Sequence, residues 1–170
     1  MIQNKIKNMT DCISSARICI DVYNEGEMQG RLYHTYSEEP QKFHNVIDLL
    51  KLLGYIFDRY DFPQVSMKPR SYKLQQLPEE KYITEEENNP KPTQYSISTI
   101  RGKCATFWIK VLFRQNATWQ GKIKWVEEGN EINFRSALEM IMLLDSCFCE
   151  AKVLESREDT IEGSIKENVI

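Results

Sequence analysis

The sequence has 170 residues, with 22 Lys and Arg against 25 Asp and Glu, so its formal net charge is −3. This length is typical of one domain, which buries roughly 70% of the surface exposed by its unfolded chain and folds without disulfides or a structural metal. Apolar runs fall far short of the ~20 residues that cross a bilayer, which argues against a transmembrane helix. Polar residues follow the N-terminal lysines, so we expect no signal peptide, a cytoplasmic location and no membrane partner.

One pattern occurs twice along the chain, separated by 91 positions. In the first copy two alternating runs, 18–22 and 29–33, precede a stretch of helical periodicity. In the second copy the runs 107–111 and 120–124 precede a similar helical stretch. Alternation predicts strands and a spacing of three to four residues predicts helices, so each copy is expected to be a β-β-α unit.

These units predict an α+β fold. A tandem β-β-α repeat, about 16–57 and 105–148, is expected to form a mainly antiparallel sheet of four or slightly more strands, with both helices on one face. The prediction places a single domain over residues 1–155 and a polar tail over 156–170. Strand order stays open.

The segment 58–101, which joins the two units, differs from them. Five prolines, in four short stretches, interrupt it, so it is predicted to be irregular. Its acidic stretch 79–87 is typical of a solvated loop. Tyr95 to Ile100 is a further strand candidate.

Alternation also assigns the strand side chains to two faces. The core face, expected to pack on the helices, carries Ile18, Ile20, Val22, Leu32, Phe107, Ile109, Val111, Phe113, Ile123 and Trp125. The opposite, open face is expected to carry Arg17, Cys19, Asp21, Tyr23, Gln29, Arg31, Tyr33, Trp108, Lys110, Leu112, Arg114, Gln120, Lys122 and Lys124. Six of these open-face residues are basic and one is acidic, although the net charge of the chain is negative.

Aromatic side chains interleave with this basic charge on the open face. The residues concerned are Trp108, Lys110, Lys122, Lys124, Arg31 and Tyr33. Such a face allows bases to stack while phosphates contact cations, so it predicts single-stranded nucleic-acid or nucleotide binding as one function. The alternatives are that exposed strand positions hold these residue types for propensity alone, or that the segment 58–101 covers the face.

The loop of the predicted second hairpin is unusually rich in side chains that can bind a partner. Its candidate partner surface consists of Arg114, Gln115, Asn116, Trp119 and Gln120. The alternative for the glutamine is structural, because Gln29 and Gln120 occupy matching positions and could each close a hairpin by hydrogen bonding.

The second helix is apolar nearly all the way round, which indicates burial on more than one side. Leu138, Met142 and Leu143 are candidates for a homodimer interface, since most oligomers are symmetric and Met-rich surfaces adapt to partners. Contact between the two helices of one chain is the alternative.

Catalytic and metal signals are weak. His34 and His44 have no predicted partner for acid–base work, so a structural or surface role is expected for both. The five cysteines are odd in number and irregularly spaced, which is untypical of a disulfide framework or a zinc site. We therefore expect no cofactor, no metal and no enzymatic activity.

The motif 113–121, Phe-Arg-Gln-Asn-Ala-Thr-Trp-Gln-Gly, and the motif 134–139, Phe-Arg-Ser-Ala-Leu-Glu, carry a family resemblance. Together with Tyr33-His34 and Phe62-Pro63-Gln64, they make the chain similar to a group of short uncharacterised proteins of Gram-positive bacteria. The resemblance implies a bacterial, cytoplasmic protein and no particular activity. The leading expectation is a non-catalytic interaction or regulatory module, an adaptor or inhibitor, that presents the open face and the 114–120 hairpin to another protein. Nucleic-acid binding is the second expectation.

Overall fold

A computed structural model describes residues 13–37, 39–66, 72, 97–116 and 118–148. The strands in the described part of the chain are β1 (Ser15–Asn24), β2 (Glu27–His34), β3 (Gln41–Phe43), β4 (Ala105–Phe113), β5 (Gln120–Trp125) and β6 (Glu131–Phe134). Helix α1 (Val46–Arg59) follows β3, and a helix over residues 137–148, α2, follows β6. The predicted polar tail and acidic stretch lie outside the described residues.

The strands form one antiparallel sheet in the order β3-β2-β1-β4-β5-β6, so the predicted α+β class is confirmed. Strand pairing recurs at the separation of 91 residues. Gly30 pairs with Phe43 in the first half, and Gly121 pairs with Phe134 in the second. The two halves therefore share one register, whereas their origin by duplication stays a prediction.

Each half has three strands rather than two, because β3 and β6 precede the helices. Phe43 and Phe134 end these short strands and are buried in the core. Strands of three and four residues are too short for alternation to reveal them. The further strand expected at Tyr95 to Ile100 is also corrected, since Ile97–Thr99 forms a single 3₁₀ turn.

A β-bulge in each half changes the predicted faces. The register shifts between Ile20 and Val22, and in the second half between Val111 and Phe113. One additional residue reverses the side-chain alternation beyond it. Four residues therefore exchange faces relative to the expectation: Val22 and Phe113 lie on the open face and are exposed, whereas Tyr23 and Arg114 lie on the helix face.

Both helices cover the helix face of the sheet. Their buried residues, including Leu53 of α1 and Leu144 of α2, share one core with Ile18 and Ile109 of the central strands. Polar side chains begin the helices in the same way: the Asp48 amide donates to Asn45 Oδ1 (2.8 Å), and matching residues repeat this arrangement at α2. Among the described residues, no helix has the length and apolar character needed to cross a membrane.

Candidate functional site

The open face is organised in rows of neighbouring side chains across the central strands. Arg17 of β1 pairs with Tyr33 of β2 on one side and with Trp108 of β4 on the other, and Trp108 pairs with Lys124 of β5. Directly paired residues have Cβ atoms about 4.5–5.5 Å apart, so these four side chains form one continuous row. The adjacent row contains Lys110 and its partner Lys122.

A segment over residues 97–104 covers the β1–β2 half of this face. Arg31 Nη2 donates to the Arg101 carbonyl (3.1 Å), and the Lys103 amide donates to Asp21 Oδ1 (3.1 Å). At Gly102 a Cβ atom would lie 2.6 Å from the Ile20 carbonyl oxygen, so a glycine is needed for this close approach. Residues 97–101, at the end of the segment 58–101, therefore cover part of the face, as one of the sequence-based alternatives allowed.

Arg31 and Tyr33, two of the predicted binding residues, are engaged beneath this segment. Arg31 forms a bidentate ion pair with Asp21, with Nε–Oδ2 2.6 Å and Nη2–Oδ1 2.8 Å, and its Nη1 donates to Tyr33 Oη (2.6 Å). Hydrogen bonding by Arg31 holds the pKa of the Asp21 carboxyl below its usual range. Because this charge is already neutralised and Tyr33 is buried, the β1–β2 half has little left to offer a ligand.

Arg17 lies at the border between the covered and the open part of the face. Its side chain is buried, with a relative exposure of 5%. Nε donates to the Ile100 carbonyl (2.7 Å), but Nη2 is buried without a hydrogen-bond partner. Burial lowers the pKa of this guanidinium, and the positive charge of Arg101 lowers it further. A cleft of about 160 Å³ opens beside it, lined by Ser15, Ala16, Arg17, Tyr33, Thr35, Ile97, Ser98 and Trp108.

The β4–β5 half of the face contains the largest group of predicted binding residues. Trp108 is half-buried, and Phe113, brought to this face by the bulge, is 52% exposed. Lys110 and Lys122 lie between the rows of these two aromatic residues, and Lys124 lies beside Trp108. We name these five residues the aromatic–lysine surface. Glu131 forms an ion pair with Lys122 (2.8 Å), and this hydrogen bond lowers the pKa of the glutamate.

The 114–120 hairpin does not present its residues together. Arg114, expected to be exposed, is 4% exposed and bonds to the Pro63 carbonyl and to Asp58, so its placement on the open face is corrected. Trp119 packs edge-on against Phe57 of α1, with ring centroids 5.5 Å apart. Only Gln115 and Asn116 are exposed, while Gln120 lies half-buried on the open face beside Phe113. The reason is again the bulge, which directs Arg114 into the helix layer.

The candidate dimer residues of α2 fall into two groups. Leu138 and Met142 are 66% and 64% exposed, one helical turn apart. Leu143, in contrast, packs against the core. A homodimer through Leu138 and Met142 stays a prediction.

The histidines and cysteines of the described chain lie apart from the aromatic–lysine surface. His34 is buried and its Nε2 contacts the Ile13 carbonyl (3.0 Å), whereas His44 is exposed at the start of α1. Cys19 lies on the open face but is buried, and burial raises the pKa of its thiol. Within the described residues, no group of three metal-ligating side chains comes together.

Two contributors to the site escaped the sequence-based selection. Phe113 was assigned to the core because strict alternation was assumed through the bulge. The three consecutive apolar residues Val111, Leu112 and Phe113 break the alternation, and this is the signal in the sequence that could indicate the bulge. Arg17 was assigned to the open face correctly, but its burial depends on the segment 97–104, and nothing in its local sequence indicates that contact.

Comparisons with protein-family models, with curated proteins and with solved structures find no match to this chain. The resemblance carried by the 113–121 and 134–139 motifs therefore stays a prediction.

Proposed function

We propose that the protein is a binding module that holds single-stranded nucleic acid on the aromatic–lysine surface. The observation that carries this proposal is the position of Trp108 and Phe113 on one face of β4, with Lys110 between them on the same strand. Bases stack on aromatic faces irrespective of sequence, and neighbouring lysines neutralise the phosphates that link them.

The dimensions of the surface also favour single-stranded nucleic acid over a duplex as the ligand. The surface follows β4 for six residues, a distance of about 17 Å at the usual rise per residue, which is the length of a few nucleotides in an extended nucleic-acid strand. Unpaired bases expose the rings that Trp108 and Phe113 need for stacking, whereas a duplex buries them in its own stack.

A protein partner, the leading expectation from the sequence, is the second candidate. Its supporting observation is the exposed apolar pair Leu112 and Phe113. The two anchors expected from the hairpin, Arg114 and Trp119, are engaged in the core instead. Because the centres of protein interfaces are depleted in lysine, the three lysines of this surface favour nucleic acid over a protein.

Fluorescence anisotropy with a labelled single-stranded oligonucleotide of mixed sequence tests the proposal. Because Lys122 is already paired with Glu131, we expect about two phosphates to be neutralised and affinity to fall roughly sevenfold between 50 and 200 mM salt. Trp108→Ala is expected to weaken binding roughly 5- to 150-fold through lost stacking, whereas Trp108→Phe retains most of the affinity. Lys124→Ala should weaken binding and reduce the salt dependence.

Lys51→Ala is the matched control, since Lys51 is exposed on α1, on the other side of the sheet. It should leave affinity unchanged. Binding that does not depend on salt, or an equal loss in the Lys51 and Lys124 variants, would contradict the proposal. Thermal denaturation of every variant separates lost binding from lost folding.

A further inference from the structure

Glu131 is the one acidic residue in strands β4, β5 and β6, two of which carry the aromatic–lysine surface. The β5–β6 register places it directly opposite Lys124. Its side chain reaches diagonally to Lys122, whose Nζ donates to Glu131 Oε1 at 2.8 Å. The carboxylate therefore lies at the edge of the aromatic–lysine surface, in contact with one lysine and next to a second.

The Glu131 carboxylate makes the contact with Lys122 that a phosphate of the ligand would make. A hydrogen bond from Lys122, together with the positive charges of Lys122 and Lys124, holds the pKa of Glu131 below its usual range. The carboxylate is therefore ionised at neutral pH. Carboxylates and phosphates are both oxygen anions that accept charge-assisted hydrogen bonds from an ammonium group. In the free protein, the charge of Lys122 is consequently already paired with an anion.

The exposure of this ion pair allows its partners to exchange. The side chains of Lys122 and Glu131 are each 42% exposed, and exposed ion pairs contribute little to stability. The pair between Arg31 and Asp21 differs, because it is bidentate and lies beneath the segment 97–104. A phosphate can therefore replace Glu131 at Lys122, whereas no such exchange is open to Arg31.

We infer that Glu131 is a built-in competitor for the bound nucleic acid: its carboxylate holds Lys122 in the free protein, and a phosphate must displace it before Lys122 can contribute to binding. This inference rests on the proposed function and concerns the regulation of the same surface. Lys124 forms no ion pair with another described residue, so its charge is available without displacement. The competitor therefore lowers the affinity of the surface and makes Lys122 contribute less than Lys124.

Fluorescence anisotropy with the same mixed-sequence oligonucleotide compares the wild-type protein with Glu131→Gln. Glutamine has a similar size but no charge, so Lys122 becomes available to a third phosphate. If both proteins bind equally at about 1 M salt, the variant should bind roughly eightfold more tightly at 50 mM salt and roughly threefold more tightly at 200 mM. The loss of affinity between these two salt concentrations should increase from roughly sevenfold to roughly 18-fold.

Glu128→Gln is the matched control. Glu128 is exposed in the turn between β5 and β6, and its replacement makes the same change in net charge. This variant should keep the wild-type salt dependence, because no described ion pair of the surface involves Glu128. An equal gain in affinity for the Glu128 and Glu131 variants would show that net charge alone sets the affinity, and would overturn the inference.

Combined substitutions at Glu131 and Lys122 separate competition from a merely structural ion pair. Lys122→Ala alone should change affinity little, since this lysine is already paired. In the Glu131→Gln background, the same substitution should remove the gain in affinity. If Lys122→Ala weakens binding equally in both backgrounds, the two residues are not coupled and the competitor role is refuted.

The failure of this inference can be told apart from failure of the proposed function. Salt-dependent binding with equal affinity in the wild-type protein and Glu131→Gln overturns the competitor role and leaves the proposed function standing. Absence of binding by both folded proteins overturns both. Thermal denaturation of each variant verifies folding, and little change is expected because the ion pair is exposed.

Discussion

The guanidinium of Arg114 lies over the ring of Phe57, with Cζ 5.6 Å from the ring centroid. Tyr23 and Phe148 occupy the positions that correspond to Arg114 and Phe57 in the other half, and their rings stack with centroids 3.9 Å apart. In both contacts a strand end of one half packs on the helix of the other. The two halves are therefore joined through the helix layer as well as through the β1–β4 pairing.

Arg114→Ala is expected to lower the free energy of unfolding by about 2 kcal/mol. It removes a charge-assisted hydrogen bond to the buried Pro63 carbonyl and the packing on Phe57. Chemical denaturation measures the change. Arg135→Ala is the control, since the Arg135 side chain is 89% exposed and its loss should change stability by less than about 0.5 kcal/mol. Similar values for the two variants would refute the anchoring role of Arg114.

Gly30→Ala and Gly121→Ala should both destabilise the protein strongly, by about 3 kcal/mol or more. An added Cβ would lie 2.0 Å from the Cys19 carbonyl oxygen at Gly30, and 2.1 Å from the Lys110 carbonyl oxygen at Gly121. Backbone atoms of a paired strand cannot move aside without breaking the sheet.

Gly54→Ala in α1 is expected, in contrast, to stabilise the protein. The nearest atom to its added Cβ, Trp119 Cζ2, is 3.8 Å away, and alanine favours a helix interior over glycine. Stability should rise by about 0.5–1 kcal/mol. Thermal denaturation of the three variants tests whether the two strand substitutions lower stability and the helix substitution raises it. If Gly121→Ala is tolerated, the β4–β5 register is not as described.

Sequence patterns predicted the parts of this fold that local periodicity governs. The central strands, both helices and the spacing between the halves follow from alternation and helical spacing. The same reasoning failed at Phe113 and Arg114, because a bulge adds one residue and reverses every later side chain. It could not anticipate the burial of Arg17, which depends on a contact with Ile100, 83 positions away. Local patterns do not encode such a contact.

Asp21 is expected to hold the segment 97–104 in place over β1 and β2. Its carboxylate accepts hydrogen bonds from Arg31 and from the Lys103 amide. Asp21→Asn removes the charge that strengthens these bonds, so the Lys103 amide should exchange its hydrogen with solvent at least about tenfold faster, which corresponds to about 1.4 kcal/mol. Hydrogen-exchange mass spectrometry measures this rate.

Glu131→Gln is the control for Asp21, because it removes an acid from the same face without a described contact to the segment. If hydrogen exchange at Lys103 is unchanged in the Asp21 variant, two other hydrogen bonds are sufficient to hold the segment. These are the bond from the Gly102 amide to Thr106 Oγ1 and the bond from Arg17 Nε to the Ile100 carbonyl.

Acid should destabilise the protein through His34. Burial lowers the pKa of this imidazole, and Nδ1 accepts a hydrogen bond from the Tyr36 amide (3.3 Å), which requires the neutral ring. In the unfolded chain the pKa is about 6.5, so the unfolded state binds more protons once the pH falls below that value. Stability contributed by neutral His34 is therefore present above pH 6.5 and is lost progressively as the pH falls toward the lowered pKa of the folded state.

The free energy of unfolding, measured by denaturant titration from pH 7.5 to pH 5, should fall with a slope of at most about 1.4 kcal/mol per pH unit from this one group. His34→Gln removes the titrating ring and should flatten the profile, whereas the exposed His44→Gln variant serves as the matched control. Gln can still donate to the Ile13 carbonyl, so the variant retains a partner for that acceptor. If the wild-type and His34→Gln profiles are parallel over this range, the buried imidazole does not control the acid sensitivity of the fold.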